Sequence, residues 1–171
     1  TRLEDPNGVI NYSYHPNGNL ETSDYQGHQV VVNYDGWGRR KNLKDPTVGE
    51  FSYVYDIYGQ LLEESSSKGT TTYTYTPDGL VETITQKGEH TDLNTAYDYD
   101  ATSRLPLTQT TTDGERQLTY SYGTTYDNYY RPINRSEQNS YARFSQTRSY
   151  DALGRIQTDK RTASLNGGAS Q

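Results

Sequence analysis

Cysteine and methionine are absent from the 171 residues, tryptophan occurs once and phenylalanine twice. No disulfide framework and no thiolate metal site can be built from such a chain, and the lack of cysteine does not choose between a secreted protein and one made in the cytoplasm before export. Aliphatic residues are scarce as well. Hydrophobic types make up 30% of the sequence, 18 of them tyrosine, against the near-half usual in globular domains, which excludes a thick aliphatic core. No apolar run approaches the roughly 18 residues that a membrane span requires. Basic runs are missing too: 16 Lys and Arg face 22 Asp and Glu for a net charge of -6, and nucleic acid is not expected as a partner.

Catalytic signatures are equally thin. The three histidines, His15, His28 and His90, fall at or beside turns, and no HExxH, GxSxG, Walker or GxGxxG pattern occurs. The acids come one per turn rather than in clusters, and the GGxGxD calcium nonapeptide is missing. No catalytic, cofactor-binding or metal residue is expected, and no cofactor. The chain does not read as an enzyme.

What is present is a beat. A tyrosine followed four residues later by a glycine recurs along the chain: Tyr14/Gly18, Tyr34/Gly38, Tyr55/Gly59, Tyr75/Gly79, Tyr99/Ser103, Tyr126/Tyr130 and Tyr150/Gly154, with the glycine replaced only in the fifth and sixth copies. Self-similarity at a period near 20 residues marks a repeat array. Between anchors lies a second turn, at Gly27, Gly49, Gly69, Gly88 and Gly114. One period is therefore strand, turn, strand, turn.

Turn chemistry supports the assignment. His15-Pro16-Asn17-Gly18 and Thr76-Pro77-Asp78-Gly79 place proline, then Asn or Asp, then glycine where a hairpin closes through a left-handed residue. Asp35, Asp56, Asp100 and Asp151 open the other turns, where a carboxylate accepts a backbone N–H two residues on. These acids read as turn formers. Ser103 and Tyr130, in place of glycine, predict irregular turns, and Pro106 and Pro132 predict bulges or strand ends, since proline cannot donate to a ladder.

The strands carry a period of two. Tyr12 and Tyr14, Tyr53 and Tyr55, Tyr73 and Tyr75, Tyr97 and Tyr99, and Tyr120 and Tyr122 each project from one face. An apolar residue follows two positions after the anchor at Leu20, Leu61, Val81, Leu105 and Ile156, with Arg40 and Pro132 as exceptions. Stacked repeats are expected to set tyrosine over tyrosine. A mean hydropathy of -1.07 alone suggests disorder, but disordered chains are poor in aromatic and β-branched residues. The expected fold is all-β: an array of antiparallel β-hairpins in a long sheet one layer thick, wet on both faces and without helix. About fourteen strands roughly 4.8 Å apart make a strip on the order of 65 Å long, which must curl. The array is expected to run continuously over 1–161, starting in mid-repeat, with 162–171 a tail or the start of a further repeat. With no initiator methionine and no capping unit, the sequence reads as a fragment of a longer array.

Tyr34-Asp35-Gly36-Trp37-Gly38-Arg39-Arg40, Tyr55-Asp56-Ile57-Tyr58-Gly59-Gln60-Leu61 and Tyr150-Asp151-Ala152-Leu153-Gly154-Arg155-Ile156 resemble the Rhs or YD-repeat family, whose signature is Tyr-Asp, two variable residues, then Gly-Arg-Leu. That family includes bacterial Rhs polymorphic toxins, wall-associated proteins, the C component of insecticidal toxin complexes, and teneurins. The resemblance implies a sheet that spirals into a hollow β-shell, enclosing a C-terminal toxin in the bacterial proteins. It implies as partners a cargo or toxin polypeptide and neighbouring YD repeats, and a secreted or cell-surface location, most readily bacterial. Asp5-Pro6-Asn7-Gly8 superficially fits the DPxG self-cleavage motif of such shells, but repeats continue after it and it reads as a turn. Two sequons, Asn11-Tyr12-Ser13 and Asn134-Arg135-Ser136, bear on the chain only in a eukaryotic source. The alternative function is an adhesive, carbohydrate-binding array in which Trp37, Tyr58 and Tyr129, at the variable turn positions, stack on sugar rings; for Trp37 the first expectation is packing on a neighbouring turn.

Overall fold

The computed structural model describes residues 2–5 and 8–166. The turn reading of Asp5-Pro6-Asn7-Gly8 rests on positions 6 and 7, and the last five residues of the 162–171 segment also fall outside the described residues. Fifteen strands follow one another: β1 (Arg2–Asp5), β2 (Gly8–Tyr14), β3 (Leu20–Tyr25), β4 (His28–Tyr34), β5 (Arg40–Asp45), β6 (Gly49–Tyr55), β7 (Leu61–Ser66), β8 (Gly69–Tyr75), β9 (Val81–Gly88), β10 (Thr91–Tyr99), β11 (Pro106–Asp113), β12 (Leu118–Tyr126), β13 (Pro132–Gln138), β14 (Ala142–Tyr150) and β15 (Ile156–Leu165). Their order in the sheet is their order in the chain, and no helix occurs among the described residues. The chain divides into two compact units, residues 1–73 and 74–171, the division falling inside β8. β15 takes residues 162–165 into the ladder, with Leu165 opposite Ala142.

Six of the seven anchor turns are closed by a left-handed residue four positions after the tyrosine, the three-residue hairpin geometry, and the turn at Ser103 is the exception. At Asp35 the turn is held by Asp35 N–H donating to the Arg39 carbonyl at 2.8 Å and Gly38 N–H to the Asp35 carbonyl at 3.0 Å. The Asp35 carboxylate accepts the N–H groups of Trp37 (2.9 Å) and Arg39 (3.0 Å), which makes the acid a turn former, as its position implies. Gly38 sits at φ +78, a conformation that a side chain strains.

The turn at Tyr130 corrects the expectation of irregularity. Its hydrogen bonds repeat the standard pattern, Asp127 N–H to the Arg131 carbonyl at 3.0 Å and Tyr130 N–H to the Asp127 carbonyl at 2.9 Å, with Tyr130 itself at φ +62. Tyrosine here accepts the left-handed strain because the Asp127 bonds leave the backbone no other course. Replacing Tyr130 by glycine is expected to raise stability by about 0.5–1 kcal/mol, the strain relieved less the entropy cost of glycine, read as a higher urea midpoint. At Ser103 the turn is irregular, one residue longer: Asp100 N–H reaches the Leu105 carbonyl at 2.9 Å and the left-handed residue is Arg104, φ +63. Pro106, not Leu105, therefore stands opposite the anchor Tyr99.

Prolines 106 and 132 open their strands at bulges, but proline is not the cause. A register shift occurs at the anchor tyrosine in six of the seven anchor hairpins, at Tyr14, Tyr34, Tyr55, Tyr99, Tyr126 and Tyr150. The bulge belongs to the turn geometry, whose left-handed closing residue feeds an extra residue into the following strand.

The sheet has two chemically different faces. Tyr12, Val32, Leu43, Phe51 and Tyr53 share one face of the first unit, and Tyr97, Tyr122 and Phe144 one face of the second, as the registers require. Val32, opposite Leu43 and 3% exposed, is the nearest approach to a core residue; no side chain among the described residues is below 2%. The opposite face of each unit carries hydroxyls that pair across the ladder, Ser13 with Thr22 (2.6 Å) and Ser52 with Ser65 (2.7 Å) in the first and Thr74 with Thr83 (2.8 Å), Ser145 with Thr162 (2.6 Å) and Ser149 with Thr158 (2.7 Å) in the second, while Thr95 and Thr111 (2.9 Å) pair on the tyrosine face. Such pairs contribute a few tenths of a kcal/mol to about 1 each, and accumulate along the strip.

Tyrosine does not lie over tyrosine. Tyr12, Tyr53, Tyr97 and Tyr122 stand opposite Ser23, Glu64, Gln109 and Glu137. The reason is topological: tyrosine strands alternate with polar ones, so successive tyrosines are two strands apart, beyond direct stacking distance.

Candidate functional site

The recurring chemical unit of the molecule is the junction between one repeat and the next. Arg39 follows the left-handed Gly38. Its Nε donates to Asp35 Oδ2 at 2.7 Å, Nη1 donates to the Asp56 carbonyl of the next turn at 2.8 Å, and the guanidinium lies 4.8 Å from the Tyr55 ring centroid. Arg131 repeats the arrangement, bridging Asp127 (2.8 Å from Nε) and lying 4.4 Å from the Tyr150 ring and 5.0 Å from Tyr129. A planar cation held by a carboxylate is thereby clamped onto the next anchor tyrosine. Phenol groups reach the opposite way. Tyr99, Tyr126 and Tyr150 donate their hydroxyls to the carbonyls of Val81, Pro106 and Pro132, each the first residue of the odd-numbered strand one repeat earlier, at 2.8, 3.0 and 2.9 Å. Where asparagine replaces the arginine, at Asn19, the link to the next turn is a long 3.5 Å bond to the Gly38 carbonyl.

Electrostatics follow from the turns. At Asp35 desolvation pushes the carboxyl up, but hydrogen bonds from Arg39 and Trp37 and the Arg39 charge outweigh it and hold the group below its ordinary range. The Arg131 side chain does the same for Asp127, and the Arg155 backbone N–H and side chain for Asp151. Asp100, lacking an arginine, is held down by the N–H and hydroxyl of Ser103 and the N–H of Thr102.

The histidines are scattered. His15 packs edge-on against Tyr34, centroids 5.7 Å apart, while His28 opens β4 and His90 is exposed in a turn. Among the described residues no three His, Cys, Asp or Glu side chains gather as metal ligands. A shallow hollow of ≈ 280 Å³ over Gly123, lined by Asp98, Thr108, Thr125, Asn134 and Ser136 among others, brings one carboxylate and no base. Among the described residues no helix is long and apolar enough to cross a membrane.

Trp37 is not packed on a neighbouring turn. It is 85% exposed, and Ile57 and Tyr58 at the next turn are 89% and 84% exposed. The turn is complete without these side chains, because its bonds come from backbone, Asp and Gly, so the variable positions are left free to point outward.

Residues 6–125 match the family described as teneurin YD-shell. The chain belongs to the teneurin YD-shell family. No curated protein sequence matches it. Among solved structures, this YD-shell chain is similar to the crystal structure of TcdB2-TccC3-Cdc42, at 18% identity and a TM-score of 0.74 over 91% of its own length and 9% of that chain. It is also similar to TcdB2-TccC3 without its hypervariable C-terminal region, at 18% identity and TM-score 0.73, with the same coverage. At these identities the likeness is one of fold, and the YD-shell chain spans about a tenth of the length of the chains it matches.

Proposed function

We propose that the chain is a section of wall in an Rhs-type shell that encloses a polypeptide cargo, a toxin in the bacterial reading, until delivery by a secreted or surface-displayed protein. The observation that carries this is the two-faced single layer, in which the face opposite the tyrosines carries small hydroxyl side chains paired across the ladder in each unit. Hydroxyls bonded in pairs offer an unfolded chain little apolar surface and few unsatisfied donors. Limited proteolysis of the full gene product tests the reading. Enclosed cargo resists protease while the wall is intact and becomes cleavable once Arg39 and Arg131 are both alanine; cargo cut equally fast in both proteins overturns it, as does a gene product with no more than these seven repeats.

The exposure of Trp37 and Tyr58 favours a second reading, an adhesive array whose turn-edge aromatics stack on sugar rings. It requires glycan binding that disappears in Trp37→Ala while the melting curve stays unchanged.

A further inference from the structure

We propose that the notch over Gly123, on the face opposite the tyrosines, is a binding site for a primary ammonium, the side-chain terminus of a lysine on the enclosed polypeptide. Assigning the lysine to a cargo rests on the wall reading above, whereas the site itself rests on four strands. Asp98 of β10 stands opposite Thr108 of β11, Thr108 opposite Gly123 of β12, and Gly123 opposite Ser136 of β13. Thr125 stands opposite Asn134, two residues along on the same face. Each of these strands has a neighbour on both sides, so the notch owes nothing to where the sheet ends.

The notch exists because a glycine stands in mid-strand where the backbone does not call for one. Gly123 lies outside the left-handed region in which glycine is needed. Three residues before the anchor tyrosine, every other repeat carries a side chain, as at Val31, Ala96 and Thr147. A glycine inside a strand weakens it and marks a place where another group comes close to the backbone. What it opens is a hollow of ≈ 280 Å³, below the size of pockets for drug-sized ligands and wide enough for a slender side chain.

The lining is rich in acceptors. Asp98 brings a carboxylate, and Thr108, Thr125, Ser136 and Asn134 bring side-chain oxygens, while no Lys, Arg or His lines the hollow. A Cβ on Gly123 would lie 3.8 Å from the Leu107 carbonyl oxygen, so the floor adds a backbone acceptor. Asn134 Nδ2, the side-chain amide donor present, donates to Thr125 Oγ1 at 3.0 Å. An anion finds no counter-charge in such a site, and a neutral hydroxyl leaves the carboxylate uncompensated. An ammonium supplies three donors and the missing charge together.

Titration of the chain with n-butylammonium chloride at neutral pH and fixed ionic strength, followed by amide NMR, tests the site without any cargo. Saturable shifts are expected at Thr108, Gly123 and Ser136, repeated by a capped lysine peptide, lost when its amine is acetylated, and absent with n-butanol. Asp98→Asn should weaken binding about fivefold, the upper end of what an exposed ion pair is worth. Gly123→Ala fills the notch and asks only the Ser136 hydroxyl, 3.1 Å from the new methyl, to turn aside. It should abolish binding while the chain melts at or above its original temperature. No saturable shift with butylammonium or the lysine peptide overturns the proposal, as do equal shifts with n-butanol and unchanged affinity in both variants. Displacement of butylammonium by an equimolar amount of calcium chloride also overturns it, since the notch would then be a metal site. None of these results bears on enclosure, which stands or falls on protease protection of the cargo.

Discussion

Alanine in place of Arg131 is expected to lower the free energy of unfolding by about 2 kcal/mol, the sum of a partly buried ion pair and two ring contacts discounted for solvent screening. The guanidinium is 29% exposed, holds Asp127 at 2.7 Å and lies within 5.0 Å of both Tyr129 and Tyr150. Loss of the side chain uncouples two repeats and leaves the Asp127 carboxylate with only its backbone donors. Lysine should recover less than half of the loss, since a point charge cannot bridge a carboxylate and cover a ring at once. Arg155→Ala is the internal control. With its side chain 73% exposed and no ring against it among the described residues, that change should cost under about 0.5 kcal/mol. Urea unfolding of the three variants separates these outcomes.

Acid should unfold the protein only below the ordinary carboxylate range. Asp35, Asp100, Asp113, Asp127, Asp151 and Asp159 are all held below their usual values. The Arg116 N–H and guanidinium act on Asp113, and the Arg161 side chain, then Gln146, on Asp159. A group whose folded value is depressed stabilises the fold fully above its unfolded value, near 3.9, and the contribution is lost as pH falls through the folded value. Six such groups, each anchoring a turn or a cross-strand contact, should titrate together. The sheet signal in circular dichroism should therefore be intact at pH 5 and collapse below about pH 4, with Asp127→Asn weakening the protein at neutral pH and flattening the acid transition. A midpoint between pH 5 and 6 would show that the carboxylate bonds are not what fails first. At the alkaline end, burial raises the Tyr55, Tyr73 and Tyr99 hydroxyls, so their contribution is present below an unfolded value of about 10 and is lost as pH rises through the folded one.

Most of the fold was legible because turns are local. Asp35, Pro77 and Gly59 declare their positions through chemistry that acts over a few residues, and the period of two in Tyr53 and Tyr55 follows from the pleat alone. What stayed hidden was what acts across repeats. The tyrosines suggested stacking on one another, yet a polar strand always intervenes, and the ring instead meets an arginine from an earlier turn. The signal existed: a basic residue directly follows the left-handed position at Arg39, Arg131 and Arg155. Its contacts are 16 to 19 residues away in sequence, outside any local rule. Tyr130 and Ser103 failed for a related reason, since the same substitution of glycine is absorbed as backbone strain in one turn and as an extra residue in the other. The exposed Trp37 was visible as a turn residue, while its freedom from packing depended on where the neighbouring turn tips point.

The central claim is that the repeat junctions at Arg39 and Arg131 are held together by an arginine from one turn lying on the anchor tyrosine of the next. A double-mutant cycle on Arg131→Ala and Tyr150→Leu, followed by urea unfolding, measures it most directly. A coupling energy of about 1 kcal/mol or more is predicted for residues in such contact, whereas effects that add to within about 0.3 kcal/mol would contradict the account.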